Sequence, residues 1–378
     1  MKLVILKNNL REGLNSVERA SSENNNLPIL KNVLIKTFNN KIQLSATNLE
    51  IAVSKQISGK IIEEGSITVP LGAFSTIVNN TDSERINLET NRNVLLFKTD
   101  NYEASIQGLP EEEFPIIPKI ENVKNHLTLS TELLKESVLK VINAIQISEI
   151  RPEISGMLLD FQVTQLKFAG TDSFRLAEKT INETNYTSTF QRGFKVIIPI
   201  KTMQEVLRTS TKGEVSIFID PNQILFSFGE GSSSGGKNDL EIISRLIDGN
   251  YPDYDPITPK SYETEIVLER EQLMNAVKLV STFSGKVNDI RMKVKSDKKV
   301  MEIYSVNQLL GENKYLVPAK AKGEEFEVSF NWRYLIEGLK NFTGQEIFFG
   351  INGSHRAAIL KNSTDATYFY ILMPINAS

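Results

Sequence analysis

Cysteine is absent from this 378-residue chain, which excludes disulfides and thiolate metal sites. Histidine is nearly absent too. His126 and His355 are the only two and stand far apart, so a histidine triad or metal cluster has little to draw on. Basic charge is not in excess. The 43 Lys and Arg face 46 Asp and Glu, a net charge of −3, unlike a simple basic nucleic-acid binder. No run approaches the roughly 18–20 apolar residues that a membrane span needs. The opening MKLVILKNNLREG holds an apolar stretch too short for a signal-peptide core, with no small-residue cleavage site after it. Together with the missing cysteines, this leads to the expectation of a cytoplasmic protein with no membrane partner. The stretch GEGSSSGG (229–236) lacks phosphate-loop spacing and no helix follows directly, so it reads as a hairpin loop. Asp172 and Asp220 have no suitably spaced carboxylate partner. No catalytic residue, metal site or cofactor is expected.

What is present is a repeat. Forty per cent apolar and 24% charged residues suit a soluble globular protein, and the length suggests two to four domains at about 100–200 residues each. LPILKNVLIK, from Leu27, resembles RPEISGMLLD, from Arg151; SATNLE, from Ser45, resembles AGTDSF, from Ala169. Both matches have an offset of 124, as do Leu10 with Leu134, Leu14 with Val138 and Val17 with Val141. A third copy is fainter. Its helix REQLMNAVKLV matches at offset 263, and its strand pair at 259, with Ile35 on Val294, Leu44 on Ile303 and Asn48 on Asn307. On this reading the link from helix to strands is four residues shorter in the third copy.

Each copy alternates strand, helix, several strands, strand, helix, several strands. Period-two apolar patterning gives the strands, and Leu10, Leu14 and Val17 give an amphipathic helix. The expected fold class is α+β, with three repeated modules of two helices against antiparallel sheets. Boundaries fall in Pro- or charge-bearing zones and give domains 1–123, 124–259 and 260–378. Repeats related by rotation can close into a ring, and a helix of about 12 residues, spanning about 18 Å, can line a hole wide enough for a duplex.

Four runs then carry a resemblance: GTDSFRLA (Gly170–Ala177), RLIDGNYPDY (Arg245–Tyr254), GLPEEEFP (Gly108–Pro115) and YFYILMPI (Tyr368–Ile375). Together, and in their order along essentially the whole chain, they resemble the bacterial sliding-clamp family, the beta subunits of DNA polymerase III. The resemblance implies a DNA-clamp fold closing into a ring as a head-to-tail homodimer, with twelve helices around the hole and sheets outside. It implies a non-catalytic processivity factor that encircles double-stranded DNA. Its partners would be a second copy of itself, the replicative DNA polymerase, an ATP-driven clamp loader and other proteins bearing a clamp-binding motif. The dimer contact would join domain one to domain three, with Tyr102–Gln107 and VSIFID-like strands as alternative candidate edges.

The resemblance also implies a peptide pocket between the second and third domains. Matching positions are Thr171, Ser173, Phe174, Arg175 and Leu176, then Pro252 and Ile257, Met274 and Asn307, and finally Ile371, Met373, Pro374 and Ile375. Without it, Leu176, Ile371 and Met373 would be read as core residues. Phe174 replaces the His of some relatives, Pro256 replaces an Arg, and the ending INAS is neither basic nor aromatic. A more apolar pocket is expected. Phosphate contacts are expected from Arg11, Arg19, Lys135, Lys140, Arg208, Lys212, Lys278, Arg333 and Lys340 on or beside the helices, with Arg151 near a DNA-contact loop. Each could equally be a solvated surface charge. Asn24–Asn26 fill a loop where relatives often carry Arg. Two other readings stay open: a repeat protein binding a small molecule or acting on it, and a clamp paralogue with a narrower role.

Overall fold

The computed structural model describes residues 1–21, 27–209, 212–229, 239–295, 299–362 and 365–375. Asn24–Asn26 and all but the first residue of the 229–236 loop lie outside them.

The first copy opens with β1 (Lys2–Leu6) running into α1 (Lys7–Val17). It continues through β2 (Asn32–Phe38), β3 (Lys41–Thr47), β4 (Ile51–Ile57) and β5 (Lys60–Glu63). Then β6 (Gly65–Pro70) runs into α2 (Leu71–Asn80), followed by β7 (Arg85–Asn91), β8 (Val94–Lys98) and β9 (Glu103–Gln107). The second copy repeats this as β10 (His126–Ser130), α3 (Thr131–Ile142), β11 (Gly156–Phe161), β12 (Gln165–Thr171), β13 (Arg175–Asn182) and β14 (Tyr186–Ser188). It ends with β15 (Phe194–Pro199), α4 (Ile200–Arg208), β16 (Glu214–Asp220), β17 (Gln223–Gly229) and β18 (Leu240–Arg245). The third has β19 (Thr264–Glu269), α5 (Arg270–Val280), β20 (Asp289–Val294), β21 (Val300–Asn307) and β22 (Gly311–Gly323). It closes with β23 (Phe326–Asn331), α6 (Trp332–Lys340), β24 (Glu346–Ile351), β25 (Ala358–Lys361) and β26 (Tyr368–Leu372).

The patterning explains these elements. Strand β19 alternates buried and half-buried residues along its length, the signature of one covered face. Helix α1 buries Leu10, Gly13, Leu14 and Val17 on one stripe. Helices start directly from strand ends. Ser130 Oγ accepts from Leu133 N at 3.1 Å, and Asn331 caps α6 by accepting from Arg333 N at 3.0 Å, each satisfying an otherwise orphaned donor.

The ladders correct one alignment. Ile35 lies opposite Leu44, but Ile303, the counterpart of Leu44, lies opposite Met292. Met292, not Val294, is therefore the equivalent of Ile35. The β20–β21 turn is two residues longer than that of β2–β3, and the link from α5 is six residues shorter, not four.

The residues gather into two compact units. One holds Met1–Lys135, Thr184–Gln191 and Lys201–Leu246; the other holds Glu136–Glu183, Arg192–Ile200 and Ile247–Ser378. The middle copy is thus divided. The first unit contains a five-stranded sheet, β5-β1-β7-β8-β9, and a nine-stranded sheet, β14-β10-β16-β17-β18-β4-β3-β2-β6. The second contains a twelve-stranded sheet, β15-β11-β12-β13-β26-β25-β24-β19-β22-β21-β20-β23. Each unit has one seam between copies: β18 pairs antiparallel with β4 in the first, and β26 with β13 in the second. A copy's last strand therefore extends the sheet of the copy before it. Strand β22 pairs with β21 through Gly311–Pro318 and with β19 through Ala319–Gly323, doing in one run what β4 and β5, or β13 and β14, do in two.

Candidate functional site

The site is built on the β12–β13 hairpin, whose turn is specified by local chemistry. Thr171 Oγ1 donates to Arg175 O at 2.7 Å and accepts from Ser173 N at 3.1 Å. Asp172 Oδ1 accepts from Phe174 N at 2.9 Å and Arg175 N at 3.0 Å. Ser173 sits at φ 76°, a left-handed conformation that these side-chain bonds hold in place. Strand β13 then leaves beside β26, with Leu176 opposite Ile371. Met373 N donates to Phe174 O at 2.9 Å and fixes the end of β26 against the turn.

The segment after β18 closes the third side. Tyr254 OH donates to Glu178 Oε2 at 2.6 Å, and its ring meets Tyr251 edge-on at 6.4 Å between centroids. Burial, then the Glu178 carboxylate, push the Tyr254 phenol well above its ordinary value; burial pushes Tyr251 up as well. Both therefore stay neutral and serve as apolar walls with polar tips.

A cavity of about 200 Å³ opens among these segments, walled by Thr171, Ser173, Arg175, Leu176, Tyr251, Pro252, Asp253, Tyr254, Ile257, Ile371 and Met373, with Arg151 beside them. A second hollow of about 540 Å³ adjoins it, sharing Ile257 and Met373 and reaching Lys260, His355 and Arg356. The larger hollow adds the charged side chains of Asp255, Lys260 and Arg356 beside the more apolar smaller one.

Arg175 is part of the frame. Its Nε donates to Asp172 Oδ2 at 2.8 Å, its Nη1 to Glu337, and its guanidinium lies 4.2 Å from the Tyr334 ring centroid. Burial works against its charge, but Tyr370, Glu337 and Asp172 outweigh that and hold its pKa above the usual value. Arg151 is different. It is exposed, donating to Ser173 Oγ at 3.1 Å and Glu153 Oε1 at 3.0 Å, pairs that water weakens and a ligand can replace.

Of the residues matched to the pocket from sequence, the structure brings together Thr171, Ser173, Arg175, Leu176, Pro252, Ile257, Ile371 and Met373. The other five do not line this cavity. Phe174 turns its ring outward. Met274 is buried on α5, its sulfur 3.5 Å from Arg270 Nη1. Asn307 is the third copy's turn-forming residue, its Oδ1 accepting from Leu309 N at 2.9 Å and Leu310 N at 3.2 Å, as Asn48 does in the first copy. Ile375, following Pro374, donates its N–H to Ser329 O at 2.8 Å and so follows β23 away from the turn. Tyr251, Asp253 and Tyr254 were missed, although NYPDY stood in view around Pro252. Arg151, expected toward DNA, is exposed and also borders the cavity.

Among the other cations, Lys140 needs correction. It is buried, pairs with Glu136 at 2.9 Å and Asp365 at 3.9 Å, and lies 5.6 Å from the Tyr368 ring centroid, so it cannot face DNA. Lys135 is half-buried and donates to the Thr209 carbonyl. Arg11, Arg19, Arg208, Lys212, Lys278, Arg333 and Lys340 are exposed. Arg19 on the α1 side and Arg208 on α4 line one cleft of about 270 Å³ with Glu12 and Glu205. Among the described residues, no three His, Asp or Glu are grouped to hold a metal ion.

Profiles of the DNA polymerase III beta subunit match this chain three times: the N-terminal domain over residues 1–118, the central domain over 128–253 and the C-terminal domain over 256–376. The chain is 27% identical over 389 residues to the beta sliding clamp of Bacillus subtilis, with 99% of each chain covered. It is 26% identical over 383 residues to that of Synechococcus elongatus, again with 99% of each covered. The crystal structure of the Bacillus subtilis DNA polymerase sliding clamp matches with a TM-score of 0.91 at 25% identity over 100% of both chains. A Pseudomonas aeruginosa sliding clamp bound to griselimycin matches in fold at 0.90 and 24% identity, also over 100% of both.

Proposed function

Because the chain belongs to the DNA polymerase III beta subunit family, and is a processivity clamp and not an enzyme, we propose the finer account that follows. Two copies close head to tail into a ring around duplex DNA. The ring slides without reading sequence. It tethers the replicative polymerase, the loader and other partners through the cavity at the β12–β13 turn. The domains are 1–123, 124–259 and 260–378, and the protein works in the cytoplasm. No described helix is long and apolar enough to cross a membrane.

One observation carries the tethering role. Leu176, Ile257, Ile371 and Met373 give apolar surface to a cavity framed by the Thr171–Arg175 turn, while Arg151 offers an exposed cation at its edge. Apolar walls with a few fixed polar groups suit a short peptide with apolar residues near one end. Methionine adapts to several such ligands.

Topology, and not tight binding, would retain the DNA, which accords with a net charge of −3. Exposed Arg and Lys would supply a weak, salt-sensitive attraction to phosphates. The test is retention on closed circular against linear duplex after assisted loading. Circles should hold the protein and linear DNA should lose it from its ends; equal retention on both overturns encirclement. Separately, Leu176→Ala with Met373→Ala should abolish capture of an apolar-ended peptide, and unchanged capture would place the peptide site elsewhere.

A further inference from the structure

The turn that frames the cavity occurs twice in the chain. Between β3 and β4, Thr47 Oγ1 donates to Ile51 O at 2.9 Å and accepts from Leu49 N at 3.1 Å. Asn48 Oδ1 accepts from Glu50 N at 3.0 Å and Ile51 N at 2.9 Å, and Leu49 sits at φ 75°. These are the bonds and the left-handed residue of the Thr171–Arg175 turn, 124 positions earlier. The neighbouring strands correspond as well. Ala52 lies opposite Ile243 in the first unit, as Leu176 lies opposite Ile371 in the second.

A linker closes each arrangement. Leu109 bridges Thr68 as Ile247 bridges Ile197. FPIIPKI (114–120) then corresponds to YPDYDPI (251–257), with Ile117 on Tyr254 and Ile120 on Ile257. The last residue behaves differently in the two. Ile257 is 51% exposed at the wall of the open cavity. Ile120 is 7% exposed and clusters with Ala52 and Ile243, and Ile117, Phe218 and Leu225 pack against the three. The smaller Ala52 leaves the space that Ile120 fills. Two bonds keep it there: Asp220 Oδ2 accepts from Glu121 N at 2.9 Å, and Gln223 Nε2 donates to Lys119 O at 3.3 Å. By the ladders, Asn352 is the counterpart of Asp220. It holds its linker beyond Ile257, accepting from Glu263 N at 2.9 Å and donating to Ser261 O at 3.0 Å.

We infer that the first unit carries a second peptide site of the same construction, kept shut by the chain's own Ile120. The inference rests on the tethering role proposed above for the open cavity. The segment 114–120 is in effect a tethered partner peptide. A ligand attached by a short linker has an effective concentration of about millimolar, so a free peptide of micromolar affinity does not displace it. With Ile120 removed, the site would take an apolar side chain of a short extended peptide, against Ala52 and Ile243. One open cavity per chain then follows from Ile120, and not from any difference in the turn.

The probe is the synthetic peptide FPIIPKI with a fluorescein at its N-terminus, counted per chain by equilibrium dialysis. The parent should bind one, at the Leu176–Met373 cavity, and Ile120→Ala should bind two. Ile120→Ala combined with Leu176→Ala and Met373→Ala should keep one. A count that Ile120→Ala does not raise overturns the shut site: if it stays at one, the tethering cavity stands, and if it stays at none, both fail. A parent count of two also overturns it, because the site would already be open. None in the parent and one in Ile120→Ala upholds the shut site and fails the tethering cavity. Ala52→Leu approaches the same space from the other side. It supplies the residue of the open site and should expel Ile120, raising trypsin cleavage after Lys119 about 10-fold. Unchanged cleavage would mean that Ile120 is not held by the space beside Ala52, and would overturn the inference. Circular dichroism establishes that each variant is folded, and if one is not, the other decides.

Discussion

Replacing Arg175 by Met is the sharpest probe of what frames the cavity. The variant keeps the apolar stem and removes the guanidinium. In the parent, that group is 9% exposed and contacts Asp172, Glu337 and the Tyr334 ring. Removing one partner of a buried ion pair costs about 3–5 kcal/mol when the other charge is stranded. Here neither acid is fully stranded. Asp172 keeps two backbone N–H donors at 2.9 and 3.0 Å, and the Glu337 side chain is 39% exposed and can rehydrate. Lost stacking on Tyr334 adds about 1 kcal/mol. The balance is a destabilisation of about 2–3 kcal/mol. The assay is built in. Trp332 is the only tryptophan and begins the helix that carries Tyr334 and Glu337, so urea unfolding followed by its fluorescence reports on this frame. Glu337→Gln, which alters only the half-exposed partner, should cost under about 1 kcal/mol. If Arg175→Met costs less than about 0.5 kcal/mol, the cluster does not frame the site and the reasoning fails.

Two further outcomes follow from packing and charge. A Cβ at Gly338 would come 2.5 Å from Tyr370 Cδ1 and Cε1, so Gly338→Ala should destabilise the second unit by about 1–3 kcal/mol in the same urea assay; no loss would mean that β26 and α6 separate easily. Asp365 is held below its ordinary value: burial opposes this, but the Thr367 hydroxyl and N–H, then Lys179 and Lys140, outweigh it. Its stabilisation is therefore present above the usual aspartate range near pH 4 and lost as pH falls through the lowered value. Asp365→Asn should thus cost stability at pH 7 and progressively less below about pH 4. A cost that does not change with pH would contradict the assignment.

The sequence made much of this architecture legible, unevenly. The offset of 124 carries Lys41–Thr47 onto Gln165–Thr171 at both ends, because the first two copies keep their turn lengths. The third copy misled in its first hairpin. A two-residue slip leaves every side chain on the same face of the strand, so apolar alternation cannot reveal it. At the cavity, Thr171, Ser173 and Leu176 were readable because the turn is made by neighbours in sequence. Tyr251 and Tyr254 were not, because what makes them walls is burial and a partner, Glu178, that lies far away along the chain. Asn307 and Met274 were assigned to the pocket by analogy, and in the structure one makes a turn and the other fills a core.

The borrowed strands also bear on how the molecule is made. Strand β4 meets β18, and β13 meets β26, about 190 residues further along the chain in each case. Neither earlier strand can be covered while it is being synthesised. Each waits, its edge open, through the translation of roughly half a chain. Contacts this distant form slowly, and open edges in the interval invite mispairing with other nascent chains. The buried lysines at the waiting edges, Lys55 and Lys179, stand where a charge discourages that mispairing until the proper neighbour arrives. A chain interrupted before β26 would keep the edge of β13 open permanently, making the protein dependent on complete synthesis in a way that separately folding domains are not.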